Sequence, residues 1–181
     1  MVAAPALRRA GWIVAVVIAA GVIVPLAFRG QRPEPGLARF EAAGVMLQIP
    51  PERIVEVEIA GGDERRRFIR TKAGGWAREG GGGPADLAAR LDRGLQLLHV
   101  SAPQRVMARE EVGGTPAGEF GLEPPRLTVW ARGPAIPPFV IHFGGPNPQG
   151  LAQYARVDGR NDVVLLSRFV GEAWEQAMAE R

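Results

Sequence analysis

The feature that most constrains this chain is a run of nineteen residues without a charged side chain, "AGWIVAVVIAAGVIVPLAF", at residues 10–28. At 1.5 Å per residue a helix of this length covers about 28 Å, close to the roughly 30 Å hydrocarbon core of a bilayer. Arg8 and Arg9 precede the run and Arg29 follows it. We expect one transmembrane helix over 10–28, with the short N-terminus in the cytoplasm, because long domains cross largely regardless of charge.

A cleaved signal peptide is the alternative, since an arginine pair before an apolar run also fits secretion. The run is long for a signal peptide, and "VPLAFRGQ" offers no convincing small-x-small cleavage site, which favours an uncleaved anchor. Residues 29–39, "RGQRPEPGLAR", have the proline and glycine density of a short, semi-stiff linker. The sequence therefore predicts a cytoplasmic N-terminus (1–9), a transmembrane helix (10–28), a linker (29–39) and a domain outside the inner membrane (40–181).

The basic character of the chain belongs to the predicted anchor and its flanks. Of 22 basic and 19 acidic side chains, five arginines and one glutamate fall in residues 1–39, so residues 40–181 hold 17 basic and 18 acidic ones. The near-neutral domain lacks the footprint of a nucleic-acid binder. The sequence has no cysteine, which excludes disulfides, thiolate metal sites and cysteine nucleophiles.

From residue 54 onward the pattern predicts an α+β domain with antiparallel strands. Val55, Val57 and Ile59 alternate with Glu56 and Glu58, which predicts one apolar and one solvated face, and a Gly-Gly-Asp turn leads into a second strand. Trp76 begins a short third strand. Further strands are expected in "SAPQRVMAR", "RLTVWAR", "FVIHFGG", "AQYARV" and "DVVLLS".

Two amphipathic helices complete the predicted fold. The first starts near Pro84, and the second is capped by Ser167. Their apolar stripes are Leu87, Leu91, Leu95 and Leu98 in the first, and Phe169, Val170, Ala173, Trp174, Ala177 and Met178 in the second. Because both halves are several strands followed by one helix, we suspect a degenerate duplication.

Two turns are predicted from local chemistry. In "FGLEPPRLTVW" we expect a positive φ at Gly121, a core position for Leu122, and extended backbone imposed by Pro124 and Pro125 before the strand. In "YARVDGRNDVVLLS" Asp158 and Gly159 indicate a hairpin turn.

With these pieces the chain, from about Ile54 to Trp174, resembles the bacterial family called domain of unknown function 4340. The most specific pieces are "GLEPP" and "YARVDG", supported by "EVEI", "GGWAREG" and "PADLAARLDRGLQLLHV". The chain departs from the usual form at Gly80 to Gly83 and in its glycine-rich approach to Phe120. The resemblance implies one membrane helix before one or more such domains, and an accessory role near ABC-type transporters of the kind associated with gliding motility. It carries no catalytic motif onto these positions.

Residue types suited to catalysis are sparse. The only histidines, His99 and His142, have no partner at metal-ligand spacing, so we expect structural roles. The adjacent acids Glu110 and Glu111, which we expect in a glycine-rich loop, and the pair Asp158 and Asp162 are of the kind that is usually solvated. We therefore assign no catalytic, cofactor or metal residue, and no cofactor.

Three functions stay open. The first is a non-enzymatic, single-pass membrane protein whose domain binds an envelope or transporter component; its candidate contact residues are Trp130, Tyr154, Pro146, Asn147 and Pro148. These aromatic residues could equally be core. The second is an envelope enzyme that uses carboxylates alone, which requires converging acids in a cleft. The third is a small-ligand or lipid-binding module, which requires a cavity between sheet and helices.

Overall fold

The computed structural model describes residues 44 to 179, so the predicted N-terminal segment, membrane helix and linker (1–39) lie outside the described residues. Within that range the elements are β1 Glu56–Gly61, β2 Glu64–Arg70, β3 Trp76–Arg78, α1 Leu87–Val100, β4 Arg105–Met107, α2 Arg109–Val112, β5 Leu127–Arg132, β6 Phe139–Pro146, β7 Ala152–Val157, β8 Val163–Ser167 and α3 Arg168–Met178. Short 3-10 helices occupy Pro51–Arg53 and Ala117–Phe120. Of the helices in residues 44–179, none has the length and apolar character needed to cross a bilayer.

The strands form one eight-stranded antiparallel sheet in the order β3-β2-β1-β5-β6-β7-β8-β4. The predicted α+β class with an antiparallel sheet is confirmed. β1 and β5 lie together at the centre, and from them β1-β2-β3 and β5-β6-β7-β8 run outward in opposite directions. β4, which follows α1 in the chain, pairs with β8 at the far edge.

The main core lies between one face of the sheet and the helices α1 and α3. The sheet contributes alternating residues such as Val57, Ile59, Val129 and Ile141, and the four predicted leucines of α1 are buried opposite them. The helices approach closely at Gly94, where an added Cβ would lie 2.9 Å from ring carbons of the buried Trp174. The absence of a side chain at Gly94 therefore sets how tightly the two helices pack.

The apolar stripe of α3 is narrower than predicted. Val170, Ala173, Trp174 and Ala177 are buried, but Phe169 is 50% exposed. Ser167 occupies the N-cap position without capping the helix: its hydroxyl oxygen accepts a hydrogen bond of 2.9 Å from Gln104 Nε2 of the segment before β4. This strand-edge contact takes the place of the predicted cap.

A second, smaller core lies on the opposite face of the sheet, which we call the outer face. It contains Met107, Leu122 and Val163 and is covered by the segment 108–122. Gly121 has φ 64°, as predicted, and Leu122 is buried here, apart from the main core. "GLEPP" forms a tight turn instead of an extended run: the Glu123–Pro124 peptide bond is cis, and Leu122 pairs with Pro125.

Candidate functional site

The outer face across β1, β2, β5 and β6 carries charged and aromatic side chains, and no α-helix of residues 44–179 packs over them. Because successive strand residues point to opposite faces, the neighbours of the buried Val57 and Ile59 on β1 point outward. These neighbours are Glu56 and Glu58, and Glu58 is only 8% exposed. A glutamate so well covered needs partners of opposite charge.

Three arginines supply these partners and form what we call the Arg–Glu network. Arg132 Nη1 donates to Glu56 Oε1 at 2.5 Å and to Glu58 Oε2 at 3.0 Å. Arg67 Nη2 donates to Glu56 Oε2 at 2.8 Å, and Arg65 Nε donates to Glu58 Oε1. The antiparallel register brings them together, since Glu56 pairs with Arg132 and Glu58 pairs with Arg67.

The network keeps both glutamates ionised at neutral pH. The hydrogen bond from Arg67 lowers the pKa of Glu56 from its ordinary value of 4.5, against the opposing effect of burial. Burial raises the pKa of Glu58, but hydrogen bonds from Arg132 and Arg65 outweigh it and leave this pKa lowered as well. A carboxyl group with a lowered pKa is a poor general acid near pH 7.

Trp130, a predicted contact residue, lies on the outer face beside this network. Its side chain is half-buried, and the Arg65 guanidinium carbon sits 5.0 Å from the ring centroid, within cation–π distance. One face of the indole is thus engaged by an arginine that also binds Glu58. The structure places Trp130 at the surface and not in the main core.

A polar chain crosses β5 and β6 next to Trp130. Thr128 Oγ1 lies 3.1 Å from His142 Nδ1, and His142 Nε2 lies 2.8 Å from Asp158 Oδ1. The sequence gives no sign that these residues meet, because the pairing of Thr128 with His142 is set by the register of β5 against β6. A hydroxyl, imidazole and carboxylate in a row also occur in nucleophilic catalysis, but Thr128 is buried and cannot meet a substrate.

A groove of about 390 Å³ continues the outer face beyond His142, and we call it the arginine groove. Arg109, Arg156 and Arg160 line it. Arg160 binds Asp162 through two hydrogen bonds of 2.9 and 2.6 Å. Among the residues that the structure describes, the guanidinium groups of Arg109 and Arg156 have no carboxylate within ion-pair distance. Asp158 also lines the groove, so three arginines stand against the two carboxylates of Asp158 and Asp162, and the groove keeps a net positive charge.

The other predicted contact residues do not form one patch with Trp130. Tyr154 is half-buried in the second core, where its ring meets Phe120 edge-on at 5.0 Å. Asn147 organises the β6–β7 loop, because its Oδ1 accepts hydrogen bonds of 3.0 Å from the backbone nitrogens of Leu151 and Ala152. Of this group, Pro146 and Pro148 are exposed.

The two acidic pairs predicted from the sequence do not form a shared site. Glu111 binds Arg105, and Glu110 and Glu111 lie in the short helix α2, not in a loop. Asp158 faces His142, while Asp162 binds Arg160. Within residues 44–179 no three or more histidine or acidic side chains are grouped so as to hold a metal ion. The geometry thus offers a charged, partly aromatic surface and no convergent acids.

Comparison of the chain with protein-family models, with curated proteins and with solved structures found no match. The resemblance to domain of unknown function 4340 therefore stays a prediction.

Proposed function

We propose that this chain is a single-pass accessory protein of the bacterial inner membrane, with a cytoplasmic N-terminus and a periplasmic domain that binds another envelope protein. The uncharged run at 10–28 supports the anchor. The family resemblance supports a place beside a membrane complex such as an ABC-type transporter.

The arginine groove is the observation that carries the binding role. Arg109 and Arg156 have no acidic partner among residues 44–179, and Trp130 lies half-buried on the same face of the sheet. Arginine and tryptophan are enriched among the residues that dominate binding energy at interfaces. Charge complementarity favours an acidic segment of the partner as the occupant of the groove.

A carboxylate-only envelope enzyme has less support. Glu56 and Glu58 are held ionised by three arginines. Glu111 binds Arg105, Asp158 faces His142 and Asp162 binds Arg160, so these acids do not converge. General acid work needs a carboxyl group whose pKa is raised.

The binding role can be tested with the full-length protein extracted from its own membranes in mild detergent. We expect a stoichiometric partner to copurify with the wild type and to be lost, by at least about tenfold, from an Arg109→Glu/Arg156→Glu double variant. Arg93→Glu, a charge reversal at an exposed site on α1, is the matched control and should retain the partner. Recovery of monomer alone, or a partner retained by the double variant, would contradict the proposal.

The membrane topology has a separate test. We expect a reporter enzyme that works only in the periplasm to be active when it is fused after residue 181, and a reporter that works only in the cytoplasm to be inactive there. Activity of a cytoplasm-only reporter at that position would overturn the placement, whatever the pull-down gives.

We also infer that the two meanders are a degenerate duplication. β1 and β5 are antiparallel neighbours, each begins an outward meander, and each meander ends in a helix of the main core. A twofold axis normal to the sheet should superpose β1–β3 and α1 on β5–β7 and α3, with β8, which precedes α3, as a strand that the first half lacks. Backbones that then diverge by more than one strand spacing, about 4.8 Å, would contradict the duplication.

A further inference from the structure

The described chain begins against the C-terminal end of α1. Gly44 packs so closely there that an added Cβ would collide with the backbone carbonyl oxygen of His99. The backbone nitrogen of Met46 donates to the Leu98 carbonyl oxygen at 3.0 Å. The first described residues are therefore fixed to the last turn of α1.

The N-terminal end of α3 lies at the same end of the helix layer, because the two helices run antiparallel. Near the start of α1, Arg90 Nη1 donates to the Gln176 carbonyl oxygen close to the end of α3, at 2.7 Å. At the opposite end, Gln104, four residues after α1, donates to the hydroxyl of Ser167, which directly precedes α3. We call this end of the helix layer the entry end, and it consists of residues 44–47, 98–104, 151 and 167–169.

Exposed apolar side chains are concentrated at the entry end. Among residues 44–179 seven large apolar side chains are exposed, and four of them lie here: Leu47, Val100, Leu151 and Phe169. These four are between 41% and 74% exposed and come from four separate segments of the chain. Single exposed apolar residues are ordinary, but a group of them at one end of a domain indicates contact with another molecule or with a membrane.

Two of these side chains are presented by a fixed backbone. The backbone nitrogen of Arg168 donates to the Leu151 carbonyl oxygen at 3.2 Å, which joins the β6–β7 loop to the start of α3. Asn147 Oδ1 accepts a hydrogen bond of 3.0 Å from the backbone nitrogen of Leu151. Leu151 and Phe169 therefore need no rearrangement of the backbone to make contact, which lowers the entropic cost of binding.

The charged groups beside these apolar residues are paired. Arg168 Nε lies 2.8 Å from Glu172 Oε1, and Arg105 binds Glu111. Within the described residues these ion pairs leave the entry end without a strong charge of either sign. Such a surface suits the boundary between lipid headgroups and acyl chains better than it suits an acidic or a basic protein segment.

The length of chain before Gly44 favours a bilayer as the occupant of this surface. Fifteen residues, 29–43, separate the uncharged run at 10–28 from Gly44. A chain of this length spans at most about 50 Å when fully extended. With residues 10–28 in the bilayer, as proposed, the tether joins the domain at its entry end and raises the effective concentration of lipid there.

We propose that the entry end docks on the membrane surface, with Leu151 and Phe169 inserted at the headgroup–acyl boundary and Leu47 and Val100 beside them. The inference rests on the proposed membrane anchor and adds a fixed orientation of the domain. Apolar side chains that bind a bilayer in this way enter it by about 5–10 Å. The arginine groove lies on the outer face, on the other side of the sheet from the helices, so docking leaves it accessible to a protein partner.

Site-specific labelling tests the docking, because the chain has no cysteine of its own. Full-length Phe169→Cys carries an environment-sensitive fluorophore in phosphatidylcholine–phosphatidylglycerol nanodiscs, with and without a lipid that bears a nitroxide close to its headgroup. Ile69→Cys is the matched control, since Ile69 is exposed to a similar extent but lies on the outer face. We expect the nitroxide lipid to quench the label at position 169 at least about twofold more than the label at position 69.

A charge variant tests whether the apolar side chains hold the surface on the lipid. In labelled Val100→Cys protein, Leu151→Glu should reduce quenching to the level of the Ile69→Cys control, because a carboxylate is costly to bury at the lipid boundary. Ile69→Glu in the same background should leave quenching unchanged. Both substitutions are at exposed sites, so the melting temperatures should match that of the wild type.

The possible failures are distinguishable. Equal quenching at positions 169 and 69, in protein that stays with the nanodiscs, would overturn the docking and leave the anchor standing. Loss of the protein from the nanodiscs would contradict the anchor and the docking together. A label at position 169 that is shielded from water but not quenched by the lipid would assign the entry end to contact with a second copy of the chain, and this would also overturn the proposal.

Discussion

The two faces of the sheet are stabilised in different ways although the same strands build both. On β1, Val57 and Ile59 are buried beneath the helices, while Glu56 and Glu58 meet arginines on the outer face. Burial of apolar surface is non-directional and contributes about 1.5–3 kcal/mol per large side chain. Ion pairs contribute less and depend on geometry. The helix-bearing face therefore supplies most of the stability, and the outer face is free to serve binding.

The largest expected loss of stability comes from an isoleucine-to-alanine substitution, which can be made on either face of the sheet. Ile59 is fully buried, whereas Ile69 on the neighbouring strand β2 is 45% exposed on the outer face. Ile59→Ala should lower the free energy of unfolding by about 2–5 kcal/mol, because it removes buried methyl groups and leaves a cavity. Ile69→Ala should cost under about 1 kcal/mol. Urea unfolding of the full-length protein measures both, and equal losses would contradict the contrast between the faces.

A smaller loss of stability is expected from a substitution at the contact between α1 and α3. Gly94→Val places a branched side chain against the buried indole of Trp174, with even its Cβ at 2.9 Å. Overpacking of this kind typically costs about 1–3 kcal/mol. Ala89→Val on the exposed face of α1 controls for the lower helix propensity of valine and should cost under about 1 kcal/mol. If the two variants unfold at the same urea concentration, Gly94 does not set the helix spacing.

The smallest expected loss of stability comes from a substitution in the Arg–Glu network. Glu58→Gln should lower the free energy of unfolding by about 1–2 kcal/mol at pH 7, because Arg65 and Arg132 lose a charged acceptor. The folded-state pKa of Glu58 is lowered, so its contribution is fully present above the ordinary value of 4.5 and is lost as pH falls through the folded-state pKa.

The difference between wild type and Glu58→Gln should thus be constant from about pH 5 to 8 and shrink below about pH 4.5. Unfolding curves at several pH values measure this difference. Glu52→Gln, at an exposed site, is the control and should show no such dependence. A difference that grows on acidification would be incompatible with the network as described.

Local periodicity predicted most elements. The leucine spacing of α1, the apolar face of β5 and the positive φ at Gly121 are confirmed. On β1 the prediction is only partly right: Val57 and Ile59 are buried, but Val55 is 40% exposed and Glu58, expected on the solvated face, is covered by its arginines. Phe169 was predicted to be buried because it sits at the edge of an apolar stripe, but α3 covers the sheet with a narrower stripe. Ser167 fits a cap by sequence, yet its hydroxyl bonds Gln104, which is 63 residues away along the chain.

The candidate sites were less accessible to sequence reasoning. The arginine groove does not lie within one motif, because it joins Arg109 to Arg156 and Arg160. Trp130 and Tyr154 were both predicted as contact residues because exposed aromatic side chains suit interfaces, with the core as the alternative. The segment 108–122 covers only Tyr154, which no local pattern indicates.

By itself the sequence determined most of the strands, the two long helices and the apolar side of most of them, because those properties repeat with periods of 2 and 3.6 residues along the chain. It also determined where the chain must turn, at glycine, proline and Asp-Gly. Only the tertiary structure decided the strand order, the pairing of Glu58 with Arg65 and Arg132, and the assembly of the arginine groove. Those outcomes depend on contacts between residues distant in sequence, for which the local pattern carries no information about partners.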